Sequence, residues 1–212
     1  MQKQKEYGII KPNEEKSWRI VFVIKLDRPL ILASGSPRRK EILETMGLTY
    51  TVDASDIDES FSAAPDATVI ELSRRKALAV ASGYRDAVVL AADTLVFADE
   101  ILGKPRDAVH AKAMLRKLSG NWHSVYTGVT LVDAHTGRTI SSADKTMVHF
   151  VELSDAEIDA YVATKEPLDK AGAYGIQGFG GMFIDRIEGS YSNVVGLPMA
   201  LVRSMLLDLT RN

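Results

Sequence analysis

The sequence predicts a mixed α/β fold with a mixed, twisted sheet. In the first half of the chain, short apolar runs alternate with helical patterns, which is typical of strands that pair in parallel. In the second half, two long strand-like runs at 125–132 and 139–151 are joined by a short turn at 133–138, which is typical of a hairpin. A sheet that contains both kinds of pairing is mixed.

Composition limits the class of protein. The chain has 212 residues, of which 46% are hydrophobic and 25% are charged, as in an ordinary globular domain. Its 26 basic and 28 acidic residues give a net charge of −2, which argues against a nucleic-acid partner. The sequence has no cysteine, so disulfides, thiolate zinc sites and cysteine nucleophiles are excluded. No apolar run approaches the roughly 20 residues that span a bilayer, so we expect a cytoplasmic protein with no membrane partner.

The first 28 residues differ from the rest of the chain. Residues 1–17 are polar and show neither a helical nor a strand period. Residues 18–26 are more apolar, and both a short added strand and a loosely docked tail remain open for them. We therefore predict a flexible extension at 1–28 and one domain over 29–212.

The domain opens with a strand, a tight turn and a helix. Residues 30–33 form an apolar run typical of a buried strand. Ser36 is placed to cap the helix, Pro37 suits its first position and Gly47 ends it. A free helix N-terminus with hydroxyl and guanidinium groups beside it suits a phosphate, and a plain capped helix with solvated arginines is the alternative. The groups concerned belong to Ser34, Ser36, Arg38 and Arg39.

A strand and a second helix come next. The strand is predicted at 50–52 and is followed by an acidic loop at 53–59. Asp66 or Thr68 is placed to cap a helix that continues through Tyr84.

Asp93 and Thr94 follow a buried apolar strand predicted at 88–92. Ligands of open α/β sheets bind beyond strand ends, so a carboxylate there could hold a divalent metal or orient a water. Asp58 and Glu59 could supply further carboxylates to such a metal. A turn-capping aspartate and a solvated acidic loop are the alternatives.

Several shorter elements complete the prediction. A hairpin is expected at 95–102 with its turn at Asp99 and Glu100, and Asp107 is placed to cap a helix that ends at Leu118. The remaining elements are a helix to Thr164 opened by a capping box at Ser154, a glycine-rich segment at 172–181, a strand at 182–187, a loop at 189–196 and a helix at 197–209. Lys76 and Lys104 could each reach a phosphate or face solvent.

Several chemical motifs are missing. The sequence has neither G-x-x-x-x-G-K-[ST] nor a well-placed G-x-G-x-x-G, so a P-loop or dinucleotide site is not supported. Its four histidines contain no H-x-x-x-H pair, which gives a histidine zinc site little support. Basic and hydroxyl groups at a helix start, with carboxylates at strand ends, suit metal-dependent hydrolysis of a phosphate compound. A nucleotide-binding module remains the alternative on these residues alone.

Six segments stand in an order that a known family shares. They read L-A-S-G-S-P-R-R-K-E-I-L at 32–43, A-D-T-L-V at 92–96, G-K-P at 103–105, S-G at 119–120, D-K-A-G-A-Y-G-I-Q-G at 169–178 and G-S-Y-S-N-V-V-G-L-P at 189–198. In this order they resemble the motifs of the Maf family of nucleoside triphosphate pyrophosphatases, over about residues 30–209.

The resemblance implies an inosine-triphosphatase-like α/β fold with two lobes around a deep cleft. It implies hydrolysis of a nucleoside triphosphate to the monophosphate and pyrophosphate with Mg²⁺ or Mn²⁺. The segment that contains Gln177 resembles the branch that acts on dTTP and UTP, so these and modified pyrimidine triphosphates are the expected substrates. A homodimer is compatible with this expectation, and a non-catalytic nucleotide-binding regulator of cell division is the alternative function.

The resemblance also implies roles for individual residues. Asp93 matches the family's proton acceptor, and a role as metal ligand is equally open for it. The substrate-binding set is Ser34, Ser36, Arg38, Arg39, Lys76, Thr94, Lys104 and Gln177, of which Arg38, Thr94 and Gln177 match positions tied to substrate specificity. Asp58 or Glu59 matches an acidic cleft residue and is expected to face the metal.

Overall fold

The computed structural model describes residues 24, 26–54, 57–58, 60 and 63–210. The strands in this part of the chain are β1 (Leu30–Leu32), β2 (Tyr50–Val52), β3 (Val88–Ala98), β4 (Glu100–Leu102), β5 (Trp122–Asp133), β6 (Thr139–Phe150) and β7 (Ile184–Glu188). The α-helices are α1 (Pro37–Thr45), α2 (Pro65–Ala81), α3 (Ala108–Leu118), α4 (Asp155–Ala163), α5 (Tyr191–Val195) and α6 (Met199–Leu209). Three short 3₁₀ segments lie at Glu166–Asp169, Ala171–Ala173 and Phe179–Phe183.

All seven strands belong to one sheet, which confirms the mixed α/β prediction. The order is β2-β1-β3-β5-β6-β7, and β4 pairs with the end of β3. β1 is parallel to both β2 and β3, because helices α1 and α2 carry the chain between them. The later pairs are antiparallel; short turns join β3 to β4 and β5 to β6, whereas longer connections that contain α3 and α4 separate β3 from β5 and β6 from β7. The expected division into two lobes stays a prediction.

The central strands are buried on both faces. In β1, Leu30 and Leu32 belong to one apolar cluster and Ile31 belongs to another, because successive side chains of a strand point to opposite faces. The first cluster includes residues of α1 and α6, and the second includes Ala77 of α2. This explains why these strands read as continuous apolar runs and show no alternation.

Gly128 brings α2 against the sheet. A Cβ atom at this position of β5 would overlap the backbone of Val69 in α2, so no larger residue fits while the helix lies there. Gly128 pairs across the sheet with Asp93 of β3. The close approach therefore places the side chains of α2 beside Asp93.

The structure corrects several predicted boundaries. Asp93 and Thr94 do not follow a strand, because β3 continues through them to Ala98. Neither Asp66 nor Thr68 caps α2, which starts at Pro65, a residue well suited to the first turn, with Ala64 at the N-cap. Further differences are the end of α2 at Ala81 and not Tyr84, a short helix α5 inside the predicted loop at 189–196, and a β7 that starts at Ile184.

Other local predictions are confirmed. Asp107 caps α3 by accepting the backbone N–H of His110 at 2.7 Å, and Ser154 forms the predicted capping box with Glu157. Ser36 occupies the N-cap of α1, but its side chain makes no capping hydrogen bond.

The predicted extension falls almost entirely outside the described residues. Its last residue, Arg28, forms ion pairs with Asp133 at 2.7 Å and Asp86 at 2.9 Å. Leu26 packs against the apolar cluster of α1 and α6. No helix in the described part of the chain is long and apolar enough to cross a membrane.

Candidate active site

A large cleft lies where β1 stops and β3 continues. Its volume is about 1080 Å³. The predicted site residues that line it are Ser34, Ser36, Arg38, Arg39, Lys76, Asp93, Thr94, Lys104 and Gln177. The fold therefore brings together residues that are spread over 144 positions of the chain, from 34 to 177.

Asp93 reaches the cleft because its strand loses a neighbour. The last bond between β1 and β3 is donated by the N–H of Ala33 to the carbonyl of Leu90 at 2.8 Å. Between that bond and Val96, where β4 begins to pair, β3 is paired only with β5 among the described strands, and its other edge faces the cleft. Asp93 is 9% exposed in this position.

Lys76 of α2 forms an ion pair with Asp93. Its Nζ lies 2.6 Å from Asp93 Oδ1, and both side chains are 12% exposed. Ion pairs with so little water around them are held more tightly than surface pairs, because solvent screens them less. The carboxylate is therefore held in one orientation at the floor of the cleft.

Arg39 joins three of the motif segments. Its guanidinium donates to the carbonyl of Gly196 at 2.9 Å, to Ser34 Oγ at 3.0 Å and to Thr94 Oγ1 at 3.3 Å. The side chain thus connects the start of α1, strand β3 and the end of α5. These contacts indicate that Arg39 holds three parts of the cleft wall together and also places a positive charge beside the cleft.

Thr94 is held by a buried polar network. Its Oγ1 lies 3.0 Å from Thr127 Oγ1, and Thr127 donates to the carbonyl of Asn193 at 3.0 Å. The amide of Asn193 donates in turn to Val125 O at 3.1 Å and Thr146 Oγ1 at 3.0 Å. The two N–H groups of this amide join β5 to β6, which explains an asparagine in the last motif segment, whereas Asn193 Oδ1 is buried without a hydrogen-bond partner among the described residues.

Arg38 and Lys104 lie nearer the mouth of the cleft. Arg38 Nη1 lies 3.6 Å from Asp169 Oδ2, and Lys104 is exposed. The carbonyl of Gly103 accepts the N–H of Gly172 at 3.1 Å, which attaches the Lys104 turn to the glycine-rich segment. Gly172 has φ +69°, and a Cβ there would lie 2.8 Å from a Val96 methyl group, so the position requires glycine.

Of the two acidic loop residues, the structure describes only Asp58. Asp58 does not line the cleft, and its carboxylate accepts hydrogen bonds from the N–H and hydroxyl of Ser60, which lower the pKa of Asp58. Glu59 lies outside the described residues.

Four charged lining residues were not singled out from the sequence. Three of them lie inside motif segments, so the resemblance could have identified them as cleft residues: Glu41, Asp169 and Lys170. The fourth, Glu166, lies before the segment at 169–178, and no pattern around it in the sequence indicates a role. Burial raises the pKa of Asp169, but the ammonium of Lys170 and the guanidinium of Arg38 lower it further, so the net shift is downward.

The charges that line the cleft nearly balance. Five basic and four acidic side chains line it among the described residues, so their formal sum is +1. The described residues contain no group of three or more histidine or carboxylate side chains that could hold a metal. A polyanionic ligand bound here would therefore carry negative charge that the lining alone does not neutralise.

Comparison with known proteins agrees with the six motif segments. Residues 29–209 match the model of the family described as Maf-like protein. The chain is 50% identical over 182 residues to proteins of Bacillus cytotoxicus and Bacillus anthracis named dTTP/UTP pyrophosphatase, covering 84% of this chain and 94% of each relative. A Bacillus cereus protein of the same name is 48% identical over 182 residues, covering 84% of this chain and 89% of the relative.

Proposed function

The chain belongs to the Maf family and is a nucleoside triphosphate pyrophosphatase, and from that premise we propose that it hydrolyses dTTP, UTP and modified pyrimidine triphosphates with the help of a divalent metal. The observation that carries the proposal is the cleft in which Asp93, paired with Lys76, lies below a basic rim formed by Arg38 and Lys104. Relatives with this substrate in their name match most of the chain.

The donor set suits Mg²⁺ or Mn²⁺ that arrives with the substrate. Mg²⁺ is commonly held by one or two carboxylates together with substrate phosphates and water. Asp93 is the carboxylate inside the cleft, and a role as metal ligand is the alternative to its role as proton acceptor; Asp58 and Glu59 stay proposed as further ligands, although Asp58 does not line the cleft. A divalent cation bound there would neutralise charge on the phosphate oxygens, which a lining with a formal sum of +1 does not do alone.

The remaining steps are assigned to side chains of this protein. Arg38 and Lys104 bind the triphosphate oxygens through charge-assisted hydrogen bonds, while the hydroxyl groups of Ser34 and Ser36 line the path to α1. Asp93 accepts a proton from a water whose oxygen forms a bond to the α-phosphorus. The bond from that phosphorus to the bridging oxygen breaks, and pyrophosphate leaves with the electron pair. Lys76 keeps the carboxylate oriented through Oδ1.

Gln177 is proposed to recognise the base. The side chain is exposed within the glycine-rich segment and lines the cleft. Its amide offers one acceptor and two donors, so it can pair with one carbonyl and the N3–H of uracil or thymine at once. Guanine offers a similar carbonyl beside an N–H but has an amino donor where uracil and thymine have their second carbonyl, so the contrast with guanine lies in that third group.

A pyrophosphate-release panel tests the proposal. The protein is assayed with UTP, dTTP, GTP, ATP and 7-methyl-GTP, with Mg²⁺ and again with excess EDTA. We expect the highest kcat/KM with UTP and dTTP, and loss of turnover in EDTA. A preference for 7-methyl-GTP would refute the pyrimidine assignment. Tight binding of UTP without release would favour a non-catalytic regulator.

A further inference from the structure

The glycine-rich segment that carries Gln177 is held by a pair of side chains, Tyr161 and Glu166, which we call the carboxylate clamp. The N–H of Phe179 donates to Glu166 Oε2 at 3.0 Å, and the N–H of Gly180 donates to Oε1 at 3.2 Å. The hydroxyl of Tyr161 donates to the same Oε1 at 2.9 Å. The segment is therefore bound to the clamp just after Gln177.

The clamp also binds the segment before Gln177. The Tyr161 oxygen accepts the N–H of Gly175 at 3.2 Å. Two side chains thus hold the backbone on both sides of Gln177 through hydrogen bonds, three of which come from the segment's own amides. A short loop fixed at both ends has little freedom to carry its central side chain elsewhere.

Packing around the clamp is tight. A Cβ at Gly178 would overlap the carboxyl group of Glu166, and a Cβ at Gly180 would lie 2.6 Å from the Tyr161 hydroxyl. Gly178 has an ordinary negative φ of −107°, so here glycine is required by the clamp and not by the backbone. The segment can approach this closely only because both positions lack side chains.

The clamp is itself anchored in the core. Tyr161 is 3% exposed and its ring packs edge-on against Phe183, with centroids 5.1 Å apart. The hydroxyl oxygen of Thr164 accepts the N–H of Glu166 at 3.1 Å. Burial raises the pKa of Glu166, but the amide and hydroxyl donors lower it further, so the carboxylate form is favoured.

We propose that Glu166 is a positioning residue for base selectivity, which acts by fixing the loop that presents Gln177 to the nucleobase. The inference rests on the proposed function, in which Gln177 reads the base. Both Glu166 oxygens already accept hydrogen bonds from the protein, so the carboxylate acts through the loop. Glu166 lines the cleft but Tyr161 does not. A change in selectivity caused by a Tyr161 variant would therefore come from the loop and not from a lost contact with the substrate.

The experiment compares Glu166→Ala and Tyr161→Phe with Glu44→Ala. Glu44 is a matched control because it also accepts a tyrosine hydroxyl, that of Tyr50 at 3.0 Å, but does not line the cleft. Each variant is measured for the ratio of kcat/KM between UTP and GTP, and for hydrogen exchange at the amides of Phe179 and Gly180.

We expect the ratio to fall by roughly tenfold in Glu166→Ala, mainly through a higher KM for UTP, and by less in Tyr161→Phe. Exchange at Phe179 and Gly180 should become faster in Glu166→Ala and stay unchanged in Glu44→Ala. Gly178→Ala should lower the ratio in the wild type and have a smaller effect when Glu166 is alanine, since the overlapping carboxyl group is gone.

Two outcomes overturn the inference. Faster exchange with an unchanged UTP to GTP ratio would show that the loop position does not set selectivity. Unchanged exchange in Glu166→Ala would show that the carboxylate does not hold the loop. If the wild type itself lacks a preference for UTP, the proposed function fails, and the exchange measurement still decides whether the clamp holds the segment.

Discussion

Removal of the ion pair between Lys76 and Asp93 should separate stability from catalysis. The two groups lie 2.6 Å apart and each side chain is 12% exposed. Removing one partner of a buried pair costs about 3–5 kcal/mol, because the other charge is left without compensation. We expect Lys76→Met to lower the free energy of unfolding by about 3 kcal/mol, the lower end of that range, since some water reaches the pair.

Asp93→Asn should lower the free energy of unfolding less than Lys76→Met does, but should lower kcat strongly. The amide oxygen can still accept a hydrogen bond from Lys76, so the loss of stability should be about 1–2 kcal/mol. The amide cannot accept a proton, so kcat with UTP should fall by about 10²–10⁴-fold. The double variant buries neither charge and should recover part of the stability of Lys76→Met while remaining inactive.

Urea unfolding followed by circular dichroism, with pyrophosphate release measured in parallel, checks both expectations. Lys112→Met is the control, because Lys112 Nζ lies at the same 2.6 Å from Asp159, but in a pair that is 33% and 56% exposed. Such surface pairs contribute about 0–1 kcal/mol. Equal destabilisation by the two methionine variants, or an Asp93→Asn enzyme within about tenfold of wild-type kcat, would refute the reasoning.

Four further outcomes are expected. Arg39→Lys keeps the charge but not the planar fork that reaches three oxygens, so it should lose about tenfold or more in kcat/KM, whereas Arg203→Ala on the exposed face of α6 should change it little. Gln177→Glu removes both amide donors, so the kcat/KM preference for UTP over GTP should fall by roughly tenfold, and an unchanged ratio would leave Gln177 a structural role. Burial, with a smaller contribution from the charge of His149, lowers the pKa of His123 to about 4. The unfolded chain therefore binds a proton first as pH falls through about 6.5, and wild-type stability should drop by about 2 kcal/mol between pH 7 and pH 5, a drop that urea titrations should find missing in His123→Gln. Deletion of residues 1–23 should leave UTP turnover within about twofold, since the family match begins at residue 29, and insoluble protein would contradict this.

Local signals in the sequence determined most of the elements of the fold. The strand, Pro37 and Gly47 locate α1, and the capping residues Asp107 and Ser154 locate the starts of α3 and α4. Such signals are readable because a helix cap or a turn involves residues that are only a few positions apart. The resemblance of the six motif segments to a known family also predicted most of the residues that line the cleft.

Only the tertiary structure decided how those residues contact one another. The sequence predicts a strand end before Asp93 because the apolar run stops there, yet β3 continues through Asp93 to Ala98. Asp93 pairs with Gly128 of β5, and α2 lies close against that glycine, so this part of β3 is buried although it carries a charge. The bond from Arg39 to Gly196 joins residues 157 positions apart. Glu166 lies outside every motif and holds a segment 13 or 14 residues later. The contact of Arg39 depends on which elements the fold places together, and that of Glu166 depends on how the irregular segment after α4 folds back, and no short pattern in the chain encodes either.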